Sequence, residues 1–501
     1  MQCVVGLDIG TTSTIGILIA LPDRTLATVS RPVTLHSPHQ GWAEEDPQQW
    51  WDNVCAIVPQ LIAEAGVRPA DVKAVGVTGM LPAVVLLDDV GSVLRPSIQQ
   101  SDGRCGEEVA EMQAELDEAD FIAKAGNGIN QQLVTAKLRW IARHEPKTFD
   151  RIATVFGSYD YINWRLTGER CVERNWALEA GFTDVAGDRL DDSLIELAGI
   201  PRSAIARRVD PHEVIGAVTG AAAAQTGLVE GTPVVGGAAD HIASAYAAGI
   251  VAPGDILLKF GGATDVMIAT DKAVPDPRIY LDYHLIPGLF MPNGCMASGG
   301  SALNWFVREM GADLPAASAD GISPHAYLDR RASETPPGAD GVQIVPYFLG
   351  EKTPVHDAQA RGTITGLSLN HGKGHLWRAL LEGFGYAIRH HVLVFNDLGY
   401  PTTRFLASDG GAQSELWMQI VADILQEPVQ LLTGHPGSSL GAAWMAAIGA
   451  GLSDDWDGPQ AFVGYGRRIE PDRTNADLYD SGYRRFRETY QALSAMRGRN
   501  A

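Results

Sequence analysis

Cysteine is scarce in this chain and poorly placed for chemistry. Cys3, Cys55, Cys105, Cys171 and Cys295 are odd in number, widely spaced and without any C-x-x-C pair, which argues against a disulfide framework and a thiolate zinc site. A reducing compartment, the cytoplasm, is the expectation. Positive charge is also short: 39 basic residues against 60 acidic ones leave a net charge of −21. Nucleic acids and anionic membranes need a basic face to bind, so neither is an expected partner. No apolar run approaches the ~18 residues of a membrane span, and Met1 leads straight into a strand pattern rather than a charged leader. Neither export nor membrane insertion is expected. Low-complexity tracts and solenoid repeats are missing as well. What remains is a 501-residue chain of ordinary α/β composition, too long for one core and suited to two domains of roughly 250 residues acting on a small molecule.

The chain is organised around VVGLDIGTTSTIGIL, residues 4–18. An apolar run stops at Asp8, a Gly-Thr-Thr-Ser turn follows, and a second apolar run leaves, which predicts a tight β-hairpin. Gly10 lets backbone approach a ligand, and Thr11, Thr12 and Ser13 add hydroxyls to a fan of N–H donors that can cradle a phosphate. An ordinary hairpin with a polar tip has the same pattern. The same design recurs in DILLKFGGATDVMI, Asp255 to Ile268, with Gly261 and Gly262 at its turn. Two such hairpins half a chain apart suggest two lobes facing one nucleotide from opposite sides. A carboxylate such as Asp8 beside phosphates needs a cation between them, most simply hydrated Mg²⁺.

Between these turns the chain offers several polar groupings. Asp46 is placed to cap a helix that starts at Pro47 and carries Trp50, Trp51 and Val54 on one face. Ahead of it Gly41, Trp42, Glu44 and Glu45 form either a polar pocket wall or a solvated acidic loop. QQSDGR, residues 99–104, groups amides, Asp102 and Arg104 where several hydrogen bonds to sugar hydroxyls can be made, although an internal Asp102 to Arg104 pair explains it equally. Residues 105–175 read as packing helices, Lys137, Leu138 and Trp140 included. At TPVVGGAADH a buried strand and two glycines lead into Asp240 and His241 and then a small-residue helix. Asp240 is either a catalytic acid or base at a sheet edge or a helix cap. SGGSALNWF, residues 298–306, and ASDGGAQSELWMQIVAD, residues 407–423, are further Gly-rich turns, the second a shelf on which a flat adenine can lie. PGSSLGAAWMAAIGAG, residues 436–451, is a small-residue helix suited to close packing.

Taken in order, DIGTTST, GWAEEDPQQWW, GGAADH, FGGATD, PYFLGEKTP with ARGTITGLSLNH, LLEGFGYAIRHH and SDGGAQSELWMQIVADIL resemble the FGGY family of carbohydrate kinases over residues 3 to about 451. The resemblance implies two ribonuclease-H-like domains of the actin, Hsp70 and sugar kinase superfamily, with an interdomain cleft. Residues 1–250 would carry the sugar and the catalytic base, and residues 251–501 the nucleotide. It implies Mg²⁺-dependent transfer of the ATP γ-phosphoryl group to a sugar or polyol hydroxyl. In it Asp240 is the base and Asp8 stands by Mg²⁺, through water. Thr11, Thr12, Ser13, Gly261, Gly262, Gly300, Asn304, Gly411 and Ala412 meet ATP. Met80, Leu81, Asp102, Arg104, Asp240 and His241 line the sugar side. A homodimer is compatible with it, though no segment locates an interface.

Two departures stand out. Ile15 occupies a position where relatives carry Lys or Arg, and Gly262 one where many carry Thr, with Thr264 or Lys259 as candidate compensation. Met80, Leu81 and Pro82 replace both the Arg-Glu pair of glycerol kinases and the Met-His pair of typical xylulokinases. General similarity leans toward the xylulokinase-like branch, so a pentulose such as D-xylulose is the expected substrate. Ribulose, or an erythritol- or ribitol-type polyol, is the alternative, and a nucleotide-dependent sugar sensor with little transfer is a rival of another class.

Overall fold

The computed structural model describes residues 2–311 and 321–498. Two compact units divide the chain. The first comprises Met1–Val251, Asp271–Met291 and His435–Val463, and the second Ala252–Thr270, Pro292–Gly434 and Gly464–Ala501. A single cut at 250/251 thus marks only the first crossing. It misses the two returns to the first unit, 271–291 and 435–463.

In the first unit, β1 (Cys3–Ile9), β2 (Ser13–Ala20) and β3 (Arg24–Pro32) form the antiparallel meander that the alternating apolar runs predict. β4 (Val72–Gly79) adds parallel to β1. β5 (Val214–Ala217) and β6 (Pro233–Val235) complete the order β5-β6-β4-β1-β2-β3, with β6 parallel to β4 and β5 antiparallel at the edge. The register sets Asp8 opposite Thr78 and Ile9 opposite Gly79, while Ala238 and Ala239 pair with Thr78 and Gly79. Asp8, Met80 and Asp240 therefore leave the sheet at one edge, the carboxyl ends of its parallel strands, where open α/β sheets place their ligands.

The second unit repeats the plan. β7 (Asp255–Phe260), β8 (Thr264–Ile268) and β9 (Asn293–Met296) are antiparallel, and β10 (Arg404–Ser408) and β11 (Val429–Gly434) run parallel beside β7. β12 (Gly464–Ile469) closes the edge antiparallel.

A helix at Ser438–Gly449 lies on the first sheet. Its approach is close enough that a Cβ on Gly6 would fall 1.9 Å from the Ser439 carbonyl oxygen, and one on Gly76 would fall 2.0 Å from that of Ala442. Small residues on the helix and none on the strand are what permit this contact. The helix at Pro47–Ala65 starts where the sequence places it, with Asp46 accepting from the Gln48 amide at 2.9 Å.

Replacing Gly6 with Ala should force the helix off the sheet. We expect a loss of about 1–3 kcal/mol, the usual range for overpacking, read as a lower urea midpoint at unchanged slope. An unchanged midpoint would contradict the close contact.

Candidate active site

The edge of the first sheet collects the acidic residues. Asp8 is buried, and its Oδ2 accepts from the Ser438 hydroxyl at 2.7 Å, at the first turn of the small-residue helix. The turn beyond it closes through the Gly10 amide to Ser13 O at 3.1 Å, leaving Thr12 exposed and Thr11 and Ser13 half-buried. Ile15 sits directly across the hairpin from Asp8, so position 15 contributes no cation to that carboxylate.

Asp240 opens the helix Asp240–Ala247 but does not cap it. Its Oδ1 accepts from the amide of the next residue, His241, at 2.6 Å and lies 3.4 Å from the His241 Nδ1. The side chain is 35% exposed, at the carboxyl end of β4 beside Met80. Met80 and Leu81 are buried; Ser158 Oγ donates to the Met80 carbonyl at 2.8 Å, and the Thr11 hydroxyl lies 3.5 Å from the Met80 sulfur. This wall of the site is apolar.

The loop at 99–104 is folded on itself more than the sequence suggests. Asp102 and Arg104 are both fully buried in a bidentate pair, 2.8 and 2.7 Å, and Asp102 also accepts from the Ala43 amide at 2.6 Å. Burial pushes the Asp102 carboxyl up, but these bonds outweigh it and hold it below the ordinary range. Arg104 reaches Glu44 at 2.8 Å and stacks on Trp42, 3.7 Å from the ring centroid. Its Nη1 is the guanidinium nitrogen left without a hydrogen-bond acceptor.

The acidic stretch before Asp46 is not a solvated loop. Glu44 pairs with Arg95 and Arg104, and Glu45 accepts from the Trp50 indole at 2.9 Å, its pKa raised by burial to about 7. Lys137, read from sequence as packing, is fully buried and ties the loop down, with Nζ donating to Gln99 O at 2.8 Å and Pro82 O at 3.4 Å. Burial lowers it to about 8. An isolated Lys in an amphipathic helix carries no sequence signal for such a task.

In the second unit the three Gly-rich turns come together around a cavity of about 630 Å³, a size that suits a nucleoside. Gly261, Gly262, Gly300, Asn304 and Gly411 all line it. The Gly300 amide donates to Gly261 O at 2.9 Å, which locks two of the turns to each other. Ala412 is buried and does not line the cavity, because the short 3-10 turn Gly410–Gln413 points it inward. The sequence also missed much of the lining. Trp377 and Trp417 supply apolar walls, and Asp329 accepts from the Trp377 indole at 2.7 Å and the Ser414 hydroxyl at 2.6 Å. Thr264 does not substitute for a hydroxyl at position 262. It is buried on β8, with its Oγ1 2.4 Å from where a Gly299 Cβ would stand.

Two ribonuclease-H-like units, one with a nucleoside-sized pocket and the other with acids at its sheet edge beside a hydroxyl-rich turn, define a nucleotide-dependent phosphotransferase as the class. The comparisons make the family explicit. The profile of the FGGY family of carbohydrate kinases, N-terminal domain, matches residues 3–247, and that of the C-terminal domain matches residues 257–450. The chain belongs to the FGGY family of carbohydrate kinases. It is 31% identical over 450 residues to a xylulose kinase of Escherichia coli (strain K12), covering 89% of this chain and 90% of the relative. A xylulose kinase of Bacillus subtilis (strain 168) is 26% identical, covering 99% of this chain and 100% of the relative. The crystal structure of xylulose kinase from Rhodospirillum rubrum superposes with a TM-score of 0.94 at 58% identity, covering 99% of each chain. ATP is the cosubstrate of such kinases. Among the described residues no helix is long and apolar enough to cross a membrane.

The cavity makes opposite demands at two glycines. A Cβ at Gly411 would fall 2.6 Å from the Trp417 ring and 2.7 Å from the Phe260 Cβ, whereas one at Gly262 meets nothing within 4 Å. Gly411→Ala should therefore weaken ATP binding at least tenfold by calorimetry, the effect of ~1.4 kcal/mol of steric cost. Gly262→Thr should fold normally and bind ATP about two- to tenfold more tightly, the worth of one added hydrogen bond. Equal effects at both positions would refute this picture of the pocket.

Proposed function

We propose that this chain is an ATP-dependent kinase of D-xylulose. The observation that carries this reading is the likeness, over nearly all of both chains, to the Rhodospirillum rubrum xylulose kinase. The site chemistry is consistent with it. Phosphoryl transfer passes through a loose transition state, so the protein's work is to align the hydroxyl with the γ-phosphorus and spread charge. Asp240 takes the proton of the sugar hydroxyl as its oxygen bonds to the γ-phosphorus and the bond to the β–γ bridging oxygen breaks, releasing ADP. Thr11, Thr12 and Ser13 serve as phosphate-binding groups in this reading, as do Gly261 and Gly262. Gly300, Asn304 and Gly411 hold the nucleoside in the cavity that they line. His241 takes sugar hydroxyls, while Asp102 and Arg104, buried and paired with each other, hold the 99–104 loop in shape instead of reaching the sugar themselves.

Asp8 is the residue that would stand by Mg²⁺. Among the described residues no cluster of three or more His, Cys, Asp or Glu side chains forms a metal cage. A single carboxylate oriented by Ser438 nonetheless fits an ion that takes one protein oxygen and fills its shell with water and phosphate oxygens. When bound, the ion would neutralise phosphate charge. Cytoplasmic location follows in this reading from the soluble substrates, and a homodimer remains compatible with it.

Substrate choice follows from the wall at Met80 and Leu81. Neither side chain makes strong polar bonds, and Pro82 has no N–H, so a three-carbon polyol finds few partners there while a ketopentose reaches His241 and the 99–104 loop. ADP release with Mg²⁺ and ATP should be fastest on D-xylulose and poor on glycerol. Asp240→Asn should keep ATP affinity and lower kcat by about 10²–10⁴-fold. Glycerol as the best substrate, or unchanged turnover in Asp240→Asn, would sink the assignment.

A further inference from the structure

The returning segment Asp271–Met291 belongs to the first unit although it lies between two strands of the second sheet. Two asparagines fasten it. Asn127 donates to Leu281 O at 3.0 Å and accepts from the Leu281 amide at 2.8 Å. Asn175 does the same for Tyr283, at 3.0 and 2.7 Å. Each side-chain amide copies the two-bond pairing of a neighbouring strand residue, and the two together secure one edge of the segment at alternate residues. The opposite edge is held where the Met291 amide donates to Asp282 O at 2.7 Å. Arg174 lies over the Tyr283 ring, 3.7 Å from its centroid. The residue between the two clamped positions is Asp282, whose side chain is only 1% exposed and whose Oδ2 stands 3.1 Å from His241 Nε2.

The His241 ring is thus flanked by carboxylates on both nitrogens, Asp240 at Nδ1 and Asp282 at Nε2. A neutral imidazole has one N–H and can satisfy one of them; the cation donates to both. Building on the assignment of Asp240 as proton acceptor, we propose that Asp282 is a positioning residue: it keeps His241 as an imidazolium, which orients the Asp240 carboxylate and presents a constant positive donor to the sugar. The site is incomplete without the returning segment.

The other charged groups around the ring fit this role. Glu179 lies beyond Asp282, pushed up to about 8 by burial and then by the Asp282 charge, with His241 and Lys137 opposing. Tyr159 faces Asp240 from the helix Ser158–Thr167. Burial works against the His241 cation, but its hydrogen bonds to Asp240 and Asp282 outweigh that and raise it to about 10. A raised histidine pKa has a definite sign. The interaction is complete below the ordinary value of ~6.5 and is lost only as pH rises through the raised one. The wild-type enzyme should therefore show no His241 titration between about pH 6 and 9.

Imidazole NMR of the full chain, with His241→Gln used to assign the signal, tests this directly. His241 in the wild type should stay protonated through pH 9, and Asp282→Asn should lower its pKa by about 1–3 units. The kcat/KM of Asp282→Asn on D-xylulose should then acquire an alkaline limb at the same pH, falling about tenfold across one unit, and the sugar KM should rise while that of ATP holds. Glu179→Gln should leave the imidazolium in place, which separates the Glu179 titration from that of His241. A wild-type His241 titrating near 6.5 would overturn the proposal, as would an Asp282→Asn enzyme uniformly slower at every pH with an unmoved imidazole. The wild-type titration decides even where Asp282→Asn fails to fold. It also decides if the wild type turns over no sugar, an outcome that would count against the kinase reading and not against this one.

Discussion

The arrangement of the first unit depends on one contact, the backbone of the helix Ser438–Gly449 lying on two strands stripped of side chains at Gly6 and Gly76. Dispersion falls off steeply with a gap of half an ångström, so such a contact is held only while both surfaces stay bare. On its far side the same helix meets the helix that Asp240 opens, where a Cβ on Gly441 would fall 2.4 Å from the Ala243 carbonyl oxygen. One helix therefore indexes two acids. Its first turn brings Ser438 to Asp8, and its face seats the segment that begins at Asp240.

Around the 99–104 loop the structure holds a buried charge network, with the side chains of Asp102, Arg104, Glu44, Arg95 and Lys137 largely withdrawn from water. Removing ions from water costs several kcal/mol each unless they are paired and hydrogen-bonded, so this network adds little stability for its size. What it gives is a fixed geometry. Arg104 is held by two carboxylates and by indole faces at Trp42 and Trp140, 3.7 and 4.9 Å from the ring centroids, which leaves its guanidinium one position to occupy. Lys137 pins the carbonyls of Pro82 and Gln99, which ties the apolar wall at Met80 and Leu81 to the polar 99–104 loop.

What the sequence made legible was local. The hairpins at Asp8 and Gly261 could be read because strand period and turn glycines lie within a few residues, and the helix behind Asp46 because its cap and first proline are adjacent. The three glycine turns of the second unit could be read one by one, and a family resemblance joined them. Pairings across long stretches of chain could not be read. Asp282 meets His241 across 41 residues, Asn127 meets Leu281 across 154, and Ser438 meets Asp8 across 430. No periodicity links such positions. The same limit explains the missed returns of the chain into the first unit and the indole walls of the nucleoside cavity. Ala412 is buried in the 3-10 turn Gly410–Gln413 while Gly410, Gly411 and Gln413 line the cavity, a difference in facing between neighbours that the sequence does not display.

The departures from relatives also read differently in three dimensions. Ile15 stands opposite Asp8 in the hairpin, so a cation there would lie beside the carboxylate as well as near the turn. The Ser438 hydroxyl helps orient Asp8, as does the amino-terminal end of that helix, whose partial positive charge favours an anion. Where the family resemblance leads one to expect a mobile Lys or Arg at position 15, this chain sets a helix end and its first hydroxyl beside Asp8. A phosphoryl transfer that works by placing charge before the reaction begins loses little by that exchange, because oriented dipoles need no reorganisation when the transition state forms.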